Sequence, residues 1–435
     1  MNAIPKPEGS TGWRALQALV REKSLLSALE AVHADLGDIF QLPLPGFHVV
    51  MLVGPEANRF VLVEAKDSFF WRAEEDPVTR LLQHGVLVED GEVHDELRHQ
   101  LNPALHRRML DGYVESMWRC TDQICAEWAD GTRVDVLVEM RRIALLILTD
   151  TLFKEDFTPQ LKPLWQTILH TIQYISPGLW LIWPNVPRLG YRRALQQMDR
   201  YLYQLIAARR ANLGETGDLL GGLIASGMRD ALIRDQLLTM LIAGHDTSTA
   251  LLAWTLYLFA IHPDIQVRVH EEIGRVVGLR TPAFADANQL TYLDQVIKET
   301  LRLYPPIHLG SRIAAGDVKF KEHLFPAGTR ILYSIYLTHR HKAYWPEPHR
   351  FDPDRFSPEN IRQRPPYTFL PFGGGPRNCI GMAFAQVEAK VVLARILQKF
   401  ELRFVGKQVR PAMGATLEPH PGVMVEVRRR KPQST

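Results

Sequence analysis

The sequence of 435 residues predicts a single, mainly α-helical domain with small peripheral β-sheets. Long stretches carry apolar residues at three- and four-residue spacing, which is typical of amphipathic helices, while the segments that resemble strands are short. No Pro/Gly/Ser-rich linker, low-complexity block or fixed-period repeat divides the chain. Because hydrophobic residues make up 46% of the chain, we expect one large core spanning residues 1–435, with flexible ends at 1–10 and 428–435.

The same spacings predict the bounds of the helices and strands. The expected helices are 54–65, most of 110–212, 234–262 and 382–400, and the expected strands are 39–42, 48–53, 401–405 and 422–427. The strands near the N-terminus flank a Pro-Leu-Pro-Gly turn. Pro263 ends the long helix.

Charge and cysteine content exclude several classes of function. Lys and Arg number 51 against 48 Asp and Glu, a net charge of +3, so no general field draws the chain to nucleic acid. The three cysteines, Cys120, Cys125 and Cys379, cannot all pair, which indicates a reducing compartment. Residues 1–10 carry no apolar run, so we expect neither signal peptide nor membrane anchor and a soluble, cytoplasmic monomer.

A lone cysteine lies in the glycine-rich stretch 372–381, immediately before the helix at 382–400. The helix N-terminus favours a thiolate and should lower the pKa of Cys379. A persistent thiolate is a nucleophile or a metal ligand. The four glycines of the stretch are expected to clear side chains from around the sulfur, which suits a large flat ligand.

The long helix at 234–262 contains the stretch Ala-Gly-His-Asp-Thr-Ser near its middle. Gly244, Asp246 and Thr247 are poor choices for a buried helix interior. Such a local misfit indicates function. A second feature is the pair His94 and Arg98, four residues apart, which would share a helix face and could hold one anion.

The pattern Phe-x-x-Gly-x-Arg-x-Cys-x-Gly, filled by Phe372, Gly375, Arg377, Cys379 and Gly381, resembles the haem-binding signature of the cytochrome P450 family. The resemblance implies that Cys379 is the axial ligand of the haem iron, that Arg377 pairs with a haem propionate, and that Phe372 covers the sulfur side. A thiolate ligand favours O–O bond cleavage.

The resemblance extends over nearly the whole chain and implies the cytochrome P450 fold. It implies that His94, Arg98 and Arg312 bind haem propionates. In the family, small residues such as Ala243 and Gly244 let the long helix run over the haem, and a threonine interrupts its hydrogen-bond ladder.

The same resemblance makes Asp246 and Thr247 the oxygen-activation pair. Thr247 would hold oxygen and waters while Asp246 relays protons. Some relatives carry a glutamate at the place of Ala243 that is tied covalently to the haem; alanine cannot form that ester, so noncovalent haem b is expected. Glu299, Arg302 and Arg355 are expected to form a structural lock behind the cysteine loop.

Several other positions are candidate substrate contacts or have more than one interpretation. The candidate substrate contacts are Leu82, Val86, Leu87, Ala243, Ile307, Leu309 and Thr416. The Phe-Phe-Trp cluster at 69–71 fits core packing, and the resemblance implies that the next segment, to about Asp90, overlies the haem and contacts substrate. The loop with Trp180 and Trp183 fits a substrate lid or a tucked loop.

Three histidine-containing segments each have more than one interpretation. His308 fits a substrate contact or, preferably, a backbone carbonyl contact. His341 departs from the aspartate more usual in the family, and with His339 is expected to lie on the surface, since no third metal ligand is evident. The segment 106–108, His-Arg-Arg, fits a docking site for an acidic electron donor or an ordinary charged surface.

The resemblance implies a monooxygenase that inserts one atom of O₂ into an apolar fatty acid, terpenoid or steroid. The chain has no dinucleotide-binding glycine motif and no ferredoxin cysteine set. Electrons from NAD(P)H must therefore arrive through a separate ferredoxin or flavodoxin with its reductase. The alternatives are a peroxide-using peroxygenase or isomerase, and a haem-thiolate sensor without catalysis.

Overall fold

The computed structural model describes residues 3–44, 47–72, 74, 76–176, 189–212, 214 and 217–430. The α-helices are α1 Gly9–Glu22, α2 Leu25–Leu36, α3 Pro55–Arg59, α4 Pro77–Leu82, α5 Gly91–Leu105, α6 Arg107–Cys125, α7 Val136–Leu152, α8 Thr158–Gln173, α9 Arg192–Ala211, α10 Leu219–Ala225, α11 Asp230–Ile261, α12 Pro263–Val276, α13 Thr291–Leu303, α14 Ile335–Thr338, α15 Pro358–Arg362 and α16 Met382–Lys399. A π-helical turn, Phe60–Glu64, continues α3.

The strands are β1 Ile39–Leu44, β2 Phe47–Leu52, β3 Phe69–Phe70, β4 Arg133–Asp135, β5 Leu309–Ala314, β6 Val318–Phe320, β7 His323–Phe325, β8 Arg330–Ser334, β9 Phe400–Phe404, β10 Arg410–Met413, β11 Leu417–His420 and β12 Met424–Arg429. They form sheets in the orders β1-β2-β8-β5-β3, β4-β12-β9, β10-β11 and β6-β7. Only β2 and β8 pair in parallel among the described strands. The small sheets and the many helices confirm the predicted fold class.

Helix α11 is the centre of the core. It is apolar around most of its circumference, as expected for a helix surrounded by other elements, and it packs against α7, α9, α13, α16 and β11. It begins one turn before the predicted start and ends just before Pro263. Most of its side chains are buried, so the packing of the neighbouring elements fixes the position of its middle.

Among the described helices, no single one is both long and apolar enough to cross a membrane. The pair α11 and α12 reaches the necessary length and composition together but bends by 111° between them.

The expectation of flexible ends is wrong for part of the range. Gly9 and Ser10 lie in α1, and the amide of Gln41 donates to the carbonyl of Pro5. Arg428 and Arg429 lie in β12, which pairs with β9. Pairing with β9 therefore orders Arg428 and Arg429, although their positive charge alone favours a solvated tail.

A buried ion pair closes the region behind the cysteine loop. Arg302 donates through Nε and a terminal nitrogen to both oxygens of Glu299, at 2.6 and 2.7 Å, and neither side chain is exposed. Arg355 lies 3.5 Å from the same carboxylate. Arg302 also donates to the backbone carbonyls of His339, Pro348 and Arg350. This geometry agrees with the expected structural lock.

Replacing Arg302 with methionine should destabilise the fold strongly. The substitution leaves the Glu299 carboxylate buried and leaves three carbonyls without their donor, and breaking such a pair costs about 3–5 kcal/mol of the free energy of unfolding. Urea denaturation of both proteins measures the difference. Arg350→Met is the matched control, because its exposed pair with Glu347 contributes about 0–1 kcal/mol. Equal losses in the two variants would contradict the proposed lock.

Candidate active site

The cysteine loop is folded against the π-helical turn Phe60–Glu64. Gly373 and Gly375 have φ values of 71° and 65°, a region that favours glycine. A Cβ at Gly375 would lie 2.2 Å from the carbonyl oxygen of Leu62. The amide of Cys379 donates to the carbonyl of Phe372 at 2.8 Å. These glycines therefore allow the turn and the close packing of the loop.

The expectation that all four glycines clear space around the sulfur is only partly right. A Cβ at Gly381 would lie 3.9 Å from the sulfur of Cys379, whereas one at Gly374 would contact Tyr367 and Leu62. Gly381 is thus the glycine of this stretch that borders the sulfur.

The Cys379 side chain is exposed, yet burial raises the pKa of its thiol. The Gly381 amide and the charge of Arg98 lower that pKa but do not outweigh burial. Both facts are expected of a sulfur that lines a recess within the protein. The predicted lowering by the helix N-terminus is therefore wrong for the free thiol. Coordination to a metal removes the thiol proton outright.

Arginines from three separate elements surround the approach to this recess. Arg98 on α5 donates to the carbonyl and the side-chain oxygen of Asn378, at 2.9 and 2.8 Å. Arg377 donates to Asp90 at 2.6 Å. Arg312 on β5 is buried, donates to the carbonyl of Ser311 and stacks over the Trp71 ring at 3.6 Å. Burial lowers the pKa of all three guanidinium groups.

His94 lies on the same helix as Arg98 but is buried, and its Nδ1 lies 2.8 Å from a carboxylate oxygen of Asp95. Burial lowers its pKa, although the hydrogen bond with Asp95 opposes the shift. The structure thus brings together His94, Arg98, Arg312 and Arg377, whose charges act on one another. Their predicted contact with haem propionates stays a prediction.

Trp71, for which the sequence predicted core packing, is a member of this cluster. Its indole N–H is buried and has no hydrogen-bond partner among the described residues. Arg312 and Arg377 lie over its ring, at 3.6 and 5.0 Å. An unpaired donor beside buried cations fits an anionic ligand group. With the cysteine recess, these residues fit a haem whose propionates face the cluster.

The middle of α11 presents a second face to open space. Ala243 is exposed and Gly244 and Thr247 are half-buried, although most of this helix is buried. A Cβ at Gly244 would lie 2.4 Å from the Leu148 side chain, so this glycine permits close packing on α7. Thr247 donates its hydroxyl to the carbonyl of Ala243 at 2.7 Å, and α11 runs through this point without a break. The expected interruption of the helix is absent here.

The side chain of Asp246 lies in different surroundings from that of Thr247. It is buried, and its carboxylate accepts the hydroxyl of Thr416 at 2.8 Å. Burial and then the neighbouring Glu418 raise the pKa of Asp246 to about 7, while Thr416 and Arg141 oppose the shift. Arg141 in turn donates to Glu418 at 2.5 Å. Asp246 can therefore exchange a proton near neutral pH.

Thr416, which the sequence proposed as a substrate contact, is buried with its hydroxyl donated to Asp246. Sequence reasoning missed Arg141 and Glu418, which lie on α7 and β11. No local pattern marks them, because their importance comes from their contact with a residue on α11.

A second buried acid lies on the helix that follows the cysteine. Ser248 donates to Glu388 at 2.6 Å, and burial raises the pKa of Glu388 to about 8. Sequence analysis missed this glutamate, although the signal was present. Glu388 follows Phe384 by four residues and precedes Val391 by three, so it interrupts the apolar face of α16.

The remaining candidate substrate contacts have varied surroundings. Leu82 and Val86 are buried, Leu87 and Leu309 are half-buried, and Ile307 is 42% exposed. Their common contact with a substrate stays a prediction.

His308 is buried, and burial lowers its pKa to about 4 although a hydrogen bond with the Pro306 backbone opposes the shift. This favours the backbone-contact interpretation.

Two further predictions concern the loop with Trp180 and Trp183 and the segment 106–108. Trp180 and Trp183 lie outside the described residues. The segment 106–108 is exposed, and Arg107 lies 3.4 Å from the side-chain oxygen of Asn288.

The expected surface location of His339 is wrong. It is fully buried, and its Nε2 accepts the amide of Leu370 at 3.0 Å.

Comparisons with known sequences and with solved structures point to the same family. The family model described as cytochrome P450 matches residues 5–427. The chain is 30% identical over 424 residues to cyclooctatin synthase of Streptomyces melanosporofaciens, covering 94% of this chain and 92% of that protein. It is 30% identical over 420 residues to pentalenene oxygenase of Streptomyces avermitilis, covering 93% and 92%. A retinoic acid-bound cyanobacterial cytochrome P450 superposes with a TM-score of 0.85 at 28% identity, covering 98% of this chain and 100% of that chain.

Trp71→Phe should speed the loss of haem from the protein. The substitution keeps the ring beneath Arg312 but removes the unpaired N–H, and a hydrogen bond to a charged group contributes about 1.5–3 kcal/mol. We expect haem transfer to an excess of a haem-scavenging protein to accelerate about tenfold or more. Trp13→Phe, at a residue that is 61% exposed on α1, is the control. Identical transfer rates for both variants and the parent would contradict a propionate contact at Trp71.

Proposed function

The chain belongs to the cytochrome P450 family and is an oxidoreductase of the monooxygenase class, and on this premise we propose that it oxygenates a terpenoid-like apolar substrate. The observation that carries the proposal is the accessible face at Ala243 and Thr247 on the otherwise buried helix α11, in a chain whose Cys379 is also exposed. We propose that Cys379 and this face lie on opposite sides of the haem.

The terpenoid assignment is preferred over a fatty acid or a steroid because of the relatives. Cyclooctatin synthase and pentalenene oxygenase, which cover more than nine-tenths of this chain, are terpenoid-oxidising enzymes. Retinoic acid, bound by a structural neighbour, is also a largely apolar molecule. Leu82, Val86 and Leu309 are the apolar side chains proposed to contact the substrate.

Noncovalent haem b is the proposed cofactor, with Cys379 as its axial ligand. A haem with a thiolate ligand supplies the chemistry of O–O bond cleavage. Arg98, Arg312 and Arg377 would bind the propionates, together with the Trp71 N–H. The carbonyl and side chain of Asn378 join Arg98 to the residue before the cysteine, so propionate binding and the position of the sulfur are coupled.

Asp246 is the proposed proton donor to the distal side. Its pKa of about 7 leaves it protonated for part of the time at neutral pH, as efficient proton transfer requires. Thr416 and Glu418 hold the carboxyl away from the exposed face of α11. Rotation of the Asp246 side chain away from Thr416 would bring its proton toward Thr247.

Thr247 would then receive and position the proton. Its own hydroxyl hydrogen is donated to Ala243, so its oxygen lone pairs stay open to a donor or a water molecule. In this proposal Asp246 takes up the proton and the hydroxyl of Thr247 directs it to the distal side.

Electrons are proposed to come from a ferredoxin or flavodoxin, and ultimately from NAD(P)H. The exposed segment 106–108 follows α5, the helix whose Arg98 contacts the cysteine loop. A cationic surface at this place suits an acidic protein partner. We propose the cytoplasm as the location of this exchange.

Asp246→Asn should slow O₂-dependent product formation about 100-fold, because positioned proton transfer contributes about 10²–10⁴-fold to a rate. In the parent enzyme the rate should fall as the pH rises above about 7, where the carboxyl of Asp246 loses its proton. The variant should lose that dependence. Turnover with hydrogen peroxide, which brings its own protons, should be much less affected.

The control is Asp230→Asn, an exposed aspartate at the start of the same helix. It should keep the parental rate and pH profile. A parental pH profile in Asp246→Asn would rule out Asp246 as the proton donor. Turnover by the parent with peroxide alone, and none with O₂ and a reductase system, would favour the peroxygenase alternative.

The substrate class is tested by displacement of the iron-bound water, seen as a shift in the haem absorption band. Cyclic terpene hydrocarbons and alcohols, long-chain fatty acids and steroids are titrated in parallel. We expect terpenoids to give the shift at concentrations at least tenfold lower than the other two classes. A clear preference for fatty acids or steroids would contradict the terpenoid assignment and leave the monooxygenase class intact.

A further inference from the structure

Three potential metal ligands from separate parts of the chain meet at one place outside the haem site. His33 lies in the last turn of α2, Asp38 follows that helix, and His341 lies in the turn after α14. The Nε2 atoms of the two histidines lie 2.9 and 3.1 Å from the same oxygen of Asp38. All three potential ligand atoms lie within 4.8 Å of one another.

The donor set matches the preference of zinc. Two imidazole nitrogens and one carboxylate oxygen, with water in a fourth position, are a frequent zinc coordination, with bonds of about 2.0–2.2 Å. Tetrahedral ligands at that distance are separated by about 3.4 Å. The separations in this cluster therefore need only small side-chain movements to admit the ion between them.

Backbone contacts fix all three positions, and the carbonyl of His33 accepts the amide of Gly37 at 3.0 Å. Gly37, with φ of 80°, ends α2 and directs the chain to Asp38, whose carbonyl accepts the amide of Val53 at 2.9 Å. The carbonyl of His341 accepts the amides of Tyr344 and Trp345, both at 3.0 Å. Ligands held by rigid elements lose little freedom on binding an ion.

The cluster is open on one side. The side chains of His33 and His341 are 17% and 19% exposed, and that of Asp38 is 41% exposed. An ion can therefore enter from solvent, and water can complete its coordination.

One contact opposes metal binding. Nδ1 of His341 accepts the amide of Ala343 at 3.2 Å, which leaves the proton on Nε2. Coordination through Nε2 moves that proton to Nδ1 and removes this contact. The contact is long and lies in an exposed turn, so its loss lowers the affinity without preventing coordination.

We propose that His33, Asp38 and His341 form a zinc-binding site that ties α2 to the turn after α14. The ion would replace the two hydrogen bonds to Asp38 with three coordinate bonds. Since α14 and α2 are in contact, the site would strengthen an existing junction between the N-terminal helices and the region behind the haem. The site is independent of the oxygenation reaction.

Zinc titration of the chelator-treated, haem-containing protein tests the proposal by calorimetry and thermal unfolding. We expect one zinc ion per chain and a higher unfolding midpoint, with no response to magnesium, which prefers oxygen ligands. His33→Asn and His341→Asn should each weaken zinc binding at least tenfold and remove the thermal shift. His84→Asn, which alters a separate His–carboxylate pair with Glu89, should leave both unchanged.

Two results would overturn the proposal. One is the absence of zinc binding by the parent protein at micromolar concentrations. The other is zinc binding that survives both His33→Asn and His341→Asn. If either variant folds poorly, its haem absorption and unfolding midpoint without zinc reveal this, and Asp38→Asn then provides the third test of the same ligand set.

Discussion

The buried pair of Glu299 and Arg302 is connected to the loop of Cys379 by a path of hydrogen bonds and short stretches of backbone. Arg302 holds the carbonyl of His339, and the ring of His339 accepts the amide of Leu370. The carbonyl of Leu370 accepts the amide of Gly373, and the carbonyl of Phe372 accepts that of Cys379. A charged pair is costly to bury unless its hydrogen bonds are satisfied, and here those bonds set the geometry of the loop.

Helix α11 is subject to a different constraint, its passage through the core. Two buried polar residues near its middle pair within the protein, because they cannot reach bulk water. Asp246 pairs with Thr416, and Ser248 pairs with Glu388. Burial raises the pKa of both acids, to about 7 and about 8. The same burial that makes the helix stable therefore gives the site acids that can hold protons at neutral pH.

The sequence was sufficient to predict the features with a local pattern. The motif around Cys379, the bounds of α11 within one turn and the pair Glu299 and Arg302 rest on short-range spacing. The partners of these residues could not be predicted. Asp246 and Thr416 are separated by 170 residues, and His341 meets Asp38 across 303. Burial also reversed the expected pKa shift of Cys379, because a helix N-terminus is visible in a sequence and the desolvation of a sulfur is not.

The central claim is that Cys379 is the haem ligand, and the carbon monoxide spectrum of the reduced haem tests it most directly. The parent protein should give the spectrum typical of a thiolate ligand, and so should Cys120→Ala and Cys125→Ala, since these two cysteines are buried in the core. Cys379→Ala should lose that spectrum even where it retains haem. An unchanged thiolate spectrum in Cys379→Ala would contradict the account.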